Sequence, residues 1–236
     1  EGLLPRLLTY QDEIAAKIEA MDVQVINTGM VDSPLKANEC VLQLKQADVE
    51  LVFLFISTYA LSSTILPVAR LVGKPIIILN IQPASAIDYQ KLNSMGDRGR
   101  MTGEWMAHCQ ACSVPEFASV LNRAGVRYDI ITGYLSEDYV WEEIASWVDA
   151  VRVMYGMRTS RLGVLGHYYC GMLDVYTDLM KQSAVFGTHI ELLEMCELKA
   201  YREEVSDGEL KRKLDEFYDK FNLEASCSSE ELVRAA

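Results

Sequence analysis

The stretch that could do chemistry most directly is "HCQACSVPEF", residues 108 to 117, in which His108 precedes a Cys-x-x-Cys pair. Three chemistries use such a run, and each makes a demand on the rest of the chain. A structural zinc site needs about four ligands, and no second cysteine pair stands at finger or ribbon spacing. Thioredoxin-like redox work prefers the pair just after a first strand at a helix start, whereas the periodicity here places it inside a long helical stretch over 99 to 124. Haem attachment puts His after the second Cys, not before the first. Periodicity alone therefore favours Cys109 and Cys112 as small apolar helix residues, with His108 on a partly exposed face.

The elements that must position these residues follow from composition and pattern. The chain has 236 residues, half of them hydrophobic and about a quarter charged, enough for a packed core in one large or two small domains. A formal net charge of −12 disfavours nucleic acid and anionic membrane as partners, since both select a positive surface. The longest apolar runs, "VELVFLFI" (49 to 56) and "PIIILNI" (75 to 81), fall far short of the ~20 residues that span a bilayer. No signal peptide is visible, and six scattered cysteines fit a reducing compartment, so the expectation is cytoplasmic.

Along the chain, an amphipathic helix carrying Leu3, Leu4, Leu7, Leu8, Ile14 and Ile18 comes first, with no strand before it. Strands are then predicted at 23–29, 50–58, 75–83 and 126–135. Helices are predicted from Ser33 and Pro34, near 60–72, and over 138–156 with Trp141, Ile144, Trp147, Val148 and Val151. Ser33 can cap a helix whose first position suits Pro34. A second segment restarts with a strand at 160–168, a helix near 172–185, a strand at 189–198 and a charged helix at 206–221, opened by the capping-box pair Ser206 and Glu209. Strands apolar on both faces alternating with helices define a doubly wound, mostly parallel α/β sheet of the Rossmann or flavodoxin type. The expected domains are 1–158, with its first strand missing, and 159–236, an incomplete start of a central domain; both ends read as cut, because two parallel strands do not make a stable domain.

Open α/β sheets bind ligands at the carboxyl ends of their strands. The loops expected there, "STYALSST" (57 to 64), "NIQPAS" (80 to 85), "TGYLSED" (132 to 138) and "GHYYCGMLD" (166 to 174), are rich in hydroxyls, amides and aromatic rings. Such groups suit polyols and sugars, while phosphates call for glycine-rich loops with a Lys. No dinucleotide fingerprint or Walker-type loop occurs. The three tryptophans and the acidic pairs Glu142–Glu143 and Glu203–Glu204 read as core or contact aromatics and solvated helix faces.

Several of these stretches, taken in order, resemble the L-arabinose isomerases, which share their plan with L-fucose isomerase. "STYALSSTILPVARLVGKPIIILNIQP" (57 to 83) is similar to the family's strand, helix, strand, with Thr58, Tyr59 and Gln82 in its turns. "EDYVWEEIASWVDAVRV" (137 to 153) looks like its next long helix, "SRLGVLGHYYCGMLDVYTDLMKQSAVFG" (160 to 187) like the opening of its central domain, and "VSDGEL" (205 to 210) like its Ser-Asp-Gly helix start. The resemblance implies an aldose–ketose isomerase in which a divalent metal, typically Mn2+, holds two sugar oxygens and a carboxylate moves a proton between neighbouring carbons.

The family's metal ligands, two Glu and two His, have no counterpart in this chain, so the resemblance implies no catalytic or metal-binding residue here. It implies instead a cover over a neighbour's substrate site in a trimer or hexamer of identical subunits, with a monosaccharide as ligand. Aligning "PEF" (115 to 117) puts Cys112 where the family has a sugar-contacting His, one helical turn beyond His108, while aligning "GDR" (96 to 98) shifts the assignment; His108 is the sugar-contacting candidate, a solvated helix His its alternative. "GHYY" (166 to 169) replaces the family's Gly-Asp-Asn-Met, so Tyr169 stands at a substrate-contacting position and His167 replaces Asp. The implied substrate-binding residues are His108, His167, Tyr169 and Gln82, and the rival reading is a non-catalytic sugar-binding or oligomerisation module.

Overall fold

The computed structural model describes residues 2–224 and 226–235. The chain divides into two compact units, one up to Tyr155 and the other from Gly156 onward. In the first, α1 (Leu3–Glu19), α2 (Pro34–Gln46), β1 (Val52–Phe55), α3 (Ser62–Leu71), β2 (Ile76–Gln82), α4 (Tyr89–Ser94), α5 (Arg98–Met106), α6 (Val114–Arg123), β3 (Tyr128–Tyr134) and α7 (Asp138–Thr159) follow one another, α7 ending just past the boundary. The sheet is parallel, in the order β1-β2-β3, with Val52 opposite Ile76 and Ile76 opposite Tyr128.

Alternation along the central strand explains why helices cover both faces. Ile76 and Ile78 of β2 point into one cluster with Val41 and Leu44 of α2, Val68 of α3, and Phe117 and Leu121 of α6. Ile77, Leu79 and Ile81 point the other way, against Ile14 and Ile18 of α1 and Val140 and Ile144 of α7. A strand buried on both sides must be apolar at every position, and β2 is buried throughout except at Gln82, where the chain leaves the sheet. This is the doubly wound α/β arrangement that the sequence predicts.

Several local expectations need correction. Residues 23–29 form no strand: Val23 and Val25 pack on one cluster and Ile26 on the other, but the segment makes no ladder, and Asn27 Oδ1 instead accepts from Gly29 N at 3.0 Å. Alternation decides which way each side chain faces; it does not supply the pairing bonds. The helix expected over 99–124 is broken by a 3-10 turn, Gln110–Ser113, between α5 and α6. Pro115 in the first turn of α6 is the reason, since proline tolerates a helix start but not its interior. Asp97 caps α5 by accepting from Arg100 N at 2.7 Å.

The second unit contains β4 (Arg161–Leu165), a 3-10 turn (Leu173–Val175), α8 (Leu179–Phe186), β5 (His189–Leu193), α9 (Met195–Glu204), α10 (Asp207–Lys220) and α11 (Ser229–Ala235). β4 and β5 pair in parallel, Arg161 opposite His189. The strand expected over 189–198 therefore stops at Leu193, because Glu194 and Glu197 close a capping box that turns the chain into α9. The helix expected from 172 begins only at Leu179, where Asp178 caps it. Ser206 and Glu209 form the predicted box at the start of α10. No helix among the described residues is long and apolar enough to cross a membrane.

Candidate functional site

The carboxyl ends of β1, β2 and β3 lie side by side, and each delivers polar groups where its apolar alternation ends. On β2 and β3 the positions that continue the α2/α3/α6 face are Asn80 and Thr132, and the Asn80 amide donates to Thr132 Oγ1 at 3.1 Å. Gln82 and Tyr134, opposite one another in register, come next on the same face. Leu135 N donates to the Gln82 carbonyl at 3.0 Å, which fixes the strand end while leaving the Gln82 side chain half-buried.

Residues 106 to 116 form the wall beside these strand ends. Thr58 Oγ1 donates to the Met106 carbonyl at 2.6 Å, and Gln110 Nε2 donates to the carbonyls of Ser57 (2.9 Å) and Ala107 (2.8 Å). Ala60 N donates to Ser113 Oγ at 2.8 Å. Leu61, at the start of α3, offers no side-chain cap; Glu116 of α6 supplies one, its Oε1 accepting from Ser62 N (3.1 Å) and Ser62 Oγ (2.7 Å). A helix N-terminus is a natural anion seat. Here a carboxylate already fills it, so the crevice suits a neutral ligand rather than a phosphate.

Two buried acceptors, Asn80 Oδ1 on β2 and Gln110 Oε1 in the wall, have no protein hydrogen-bond partner, although Gln110 is fully buried. Buried acceptors of this kind are costly unless a donor reaches them, and ligand hydroxyls are such donors. Two shallow surface depressions, about 560 Å³ at Asn122 and Val126–Ile130 and about 380 Å³ along α9, lie elsewhere: the first is at the amino end of β3 and carries no comparable constellation.

His108 follows α5, with its Nε2 3.9 Å from Glu104 Oε1, while Arg6 Nη1 of α1 lies 2.9 Å from Glu104 Oε2. Desolvation lowers the His108 pKa from its ordinary 6.5; Glu104 opposes the shift and Arg6 adds to it. The folded chain therefore holds this imidazole neutral more firmly than the unfolded chain does. The resulting stability is complete above 6.5 and is lost as pH falls through that value toward the depressed folded pKa. Between about pH 7.5 and about pH 5.5 the thermal midpoint is expected to drop, and less so in His108→Gln; equal drops in both proteins would contradict this assignment.

The four sequence-predicted ligand residues fall into two groups. Gln82 and His108 belong to the first unit, the former at a strand end and the latter on the wall segment. His167 and Tyr169 belong to the second, in the loop after β4, both exposed, Tyr169 at 73%. The sequence reading placed Asn80 and Thr132 at the heads of its polar loops without singling them out, and it missed Gln110 and Ser113. Asn80 was detectable as the one polar residue in "IIILNI", whereas Gln110 and Ser113 were hidden by the expectation of a continuous helix. Among the described residues no group of three or more His, Cys, Asp or Glu side chains is placed to hold a metal, so these residues do not fit a manganese site.

Fold and crevice together define an open parallel α/β protein whose strand ends carry hydroxyl and amide groups. No protein-family model matches the chain. Over 152 residues it is 24% identical to an L-arabinose isomerase of Nocardioides sp. (strain ATCC BAA-499 / JS614), a match that covers 64% of this chain and 29% of that protein. The chain thus spans less than a third of the length of the curated relative it resembles.

Proposed function

We propose that the chain is the N-terminal portion of a metal-dependent aldose–ketose isomerase of the L-arabinose and L-fucose isomerase type, with an N-terminal domain over 1–158 and the start of a central domain over 159–236. The similarity to an L-arabinose isomerase over 152 residues carries this reading. The orphaned buried acceptors Asn80 Oδ1 and Gln110 Oε1 support the sugar part of it. In this reading the chain covers a substrate site, contributes contacts in a cytoplasmic trimer or hexamer, and binds a monosaccharide. Mn2+, gripped by residues outside this sequence, would supply Lewis-acid polarisation of the sugar oxygens.

The residues of this chain bind and orient. Neutral His108 offers one donor and one acceptor to neighbouring sugar hydroxyls, the Gln82 amide offers both as well, and Tyr169 presents an apolar ring face with a hydroxyl. His167 belongs to the same proposed set. The test is isomerisation of a panel of pentoses and 6-deoxyhexoses by the full-length protein with and without manganese. Turnover of at least one sugar, dependent on the metal, is expected; no turnover with metal demonstrably bound would overturn the reading. Metal-independent sugar binding without turnover would favour a non-catalytic sugar-binding module.

A further inference from the structure

The Cys-x-x-Cys pair plays no part in the crevice chemistry, yet its geometry is specific. Cys109 precedes the 3-10 turn Gln110–Ser113, and Cys112 N donates back to the Cys109 carbonyl at 3.3 Å. Side chains three apart eclipse in such a turn. A hydrogen-bonded turn also keeps its first and fourth Cα atoms within about 7 Å, close to the roughly 4.4–6.8 Å that a disulfide spans. The two thiols differ in setting: Cys109 is buried, its Sγ 3.5 Å from the Trp105 carbonyl, and Cys112 is exposed. A metal does not account for the pair, because a structural zinc takes four ligands and no third one is in place among the described residues.

We propose that Cys109 and Cys112 are a redox-active dithiol, which a low-molecular-weight disulfide converts into an intramolecular disulfide across the turn. The solvent-facing Cys112, as thiolate, attacks one sulfur of the small disulfide; that S–S bond breaks, one small thiolate leaves, and a mixed disulfide forms on Cys112. Cys109 then gives up its proton and attacks the Cys112 sulfur, expelling the second small thiolate. Two protons and two electrons pass from the protein to the small disulfide, which ends as two thiols.

The environment assigns the order of attack. Burial, then the hydrogen bond and charge of Cys112, push the Cys109 thiol up to about 11, so Cys109 is the resolving sulfur and not the first nucleophile. Strongly oxidising dithiols owe their potential to a stabilised reduced form, and the buried Cys109 thiolate has no such support. The bridge would tether the two ends of the turn whose Gln110 and Ser113 hold the loop after β1. This inference stands whether or not the crevice binds a sugar.

The full chain would be equilibrated in buffers of reduced and oxidised glutathione, acid-quenched, alkylated and digested with trypsin. Cleavage after Arg100 and Arg123 places Cys109 and Cys112, and no other cysteine, in one peptide. In oxidising buffer most of this peptide is expected to lack two hydrogens and carry no alkyl group. Cys109→Ser is expected to retain glutathione on Cys112, and Cys112→Ser to leave Cys109 unmodified. Two alkyl groups or two glutathiones on the wild-type peptide in every buffer would overturn the proposal, as would zinc released from the native protein by a thiol reagent.

Discussion

Phe117→Ala is expected to lower the unfolding free energy of the first unit by about 3–5 kcal/mol, a large share of the roughly 5–15 kcal/mol that holds a typical domain together. The ring is 1% exposed and sits in the cluster formed by Val41, Val68, Ile76, Ile78 and Leu121. Truncation removes its transfer free energy and leaves a void among side chains anchored on β2, α2 and α3, which cannot close around it. The change also weakens the seat of α6, whose first turn carries the Glu116 cap on α3. Chemical denaturation followed by near-ultraviolet circular dichroism would measure the loss. A cost below about 1 kcal/mol would mean that α6 is not clamped as described.

Gly133→Ala is the second large effect, through crowding instead of emptiness. Gly133 lies near the end of β3, where the first turn of α7 folds back upon it: Tyr139 Oη donates to the Thr132 carbonyl at 2.7 Å and Tyr134 N donates to Glu137 Oε2 at 2.9 Å. A methyl group at this position would meet Val140 Cγ2 at 2.5 Å and Glu137 Oε2 at 2.9 Å, and would press still harder on Tyr139 Oη. The Tyr139 side chain can swing outward, but Val140 is fully buried against Ile131 and Ile144 and cannot. The expected cost is about 1–3 kcal/mol. Because the adjacent Thr132 and Tyr134 line the crevice, ligand affinity should fall along with stability. A variant as stable as the parent would show that α7 can shift away from the sheet.

The parts of this architecture that could be read from the sequence are those set by burial on both sides. "PIIILNIQP" admits only a central strand, and the Trp141, Ile144, Val148 spacing only a helix laid on it. What could not be read depended on hydrogen bonds between distant segments. Val23, Val25 and Ile26 alternate as an edge strand would, yet whether backbone pairing follows depends on the neighbour's position, which no local pattern records. The turn at Gln110 was hidden for a related reason: its stabilising contacts are the Ser57 and Ala60 backbone groups, 53 residues away. At the candidate site, Gln82 came from the family resemblance, and in the fold it is the last residue of β2. The orphaned acceptors of Asn80 and Gln110 appear only once the chain is folded around them.

The segment 23–31 covers apolar surface on both sides of the sheet without ladder bonds, and Ser57 Oγ donates to Met30 Sδ at 3.4 Å. Its detachment breaks side-chain packing but no backbone ladder, so it is a low-energy route of partial opening. β1 stands at one edge of the sheet, so once this packing loosens its outer flank can template strand addition from another molecule, and the brevity of β1, only four residues, is what limits that hazard. Under stress, clumping of this protein should begin at that flank before the central strand loosens.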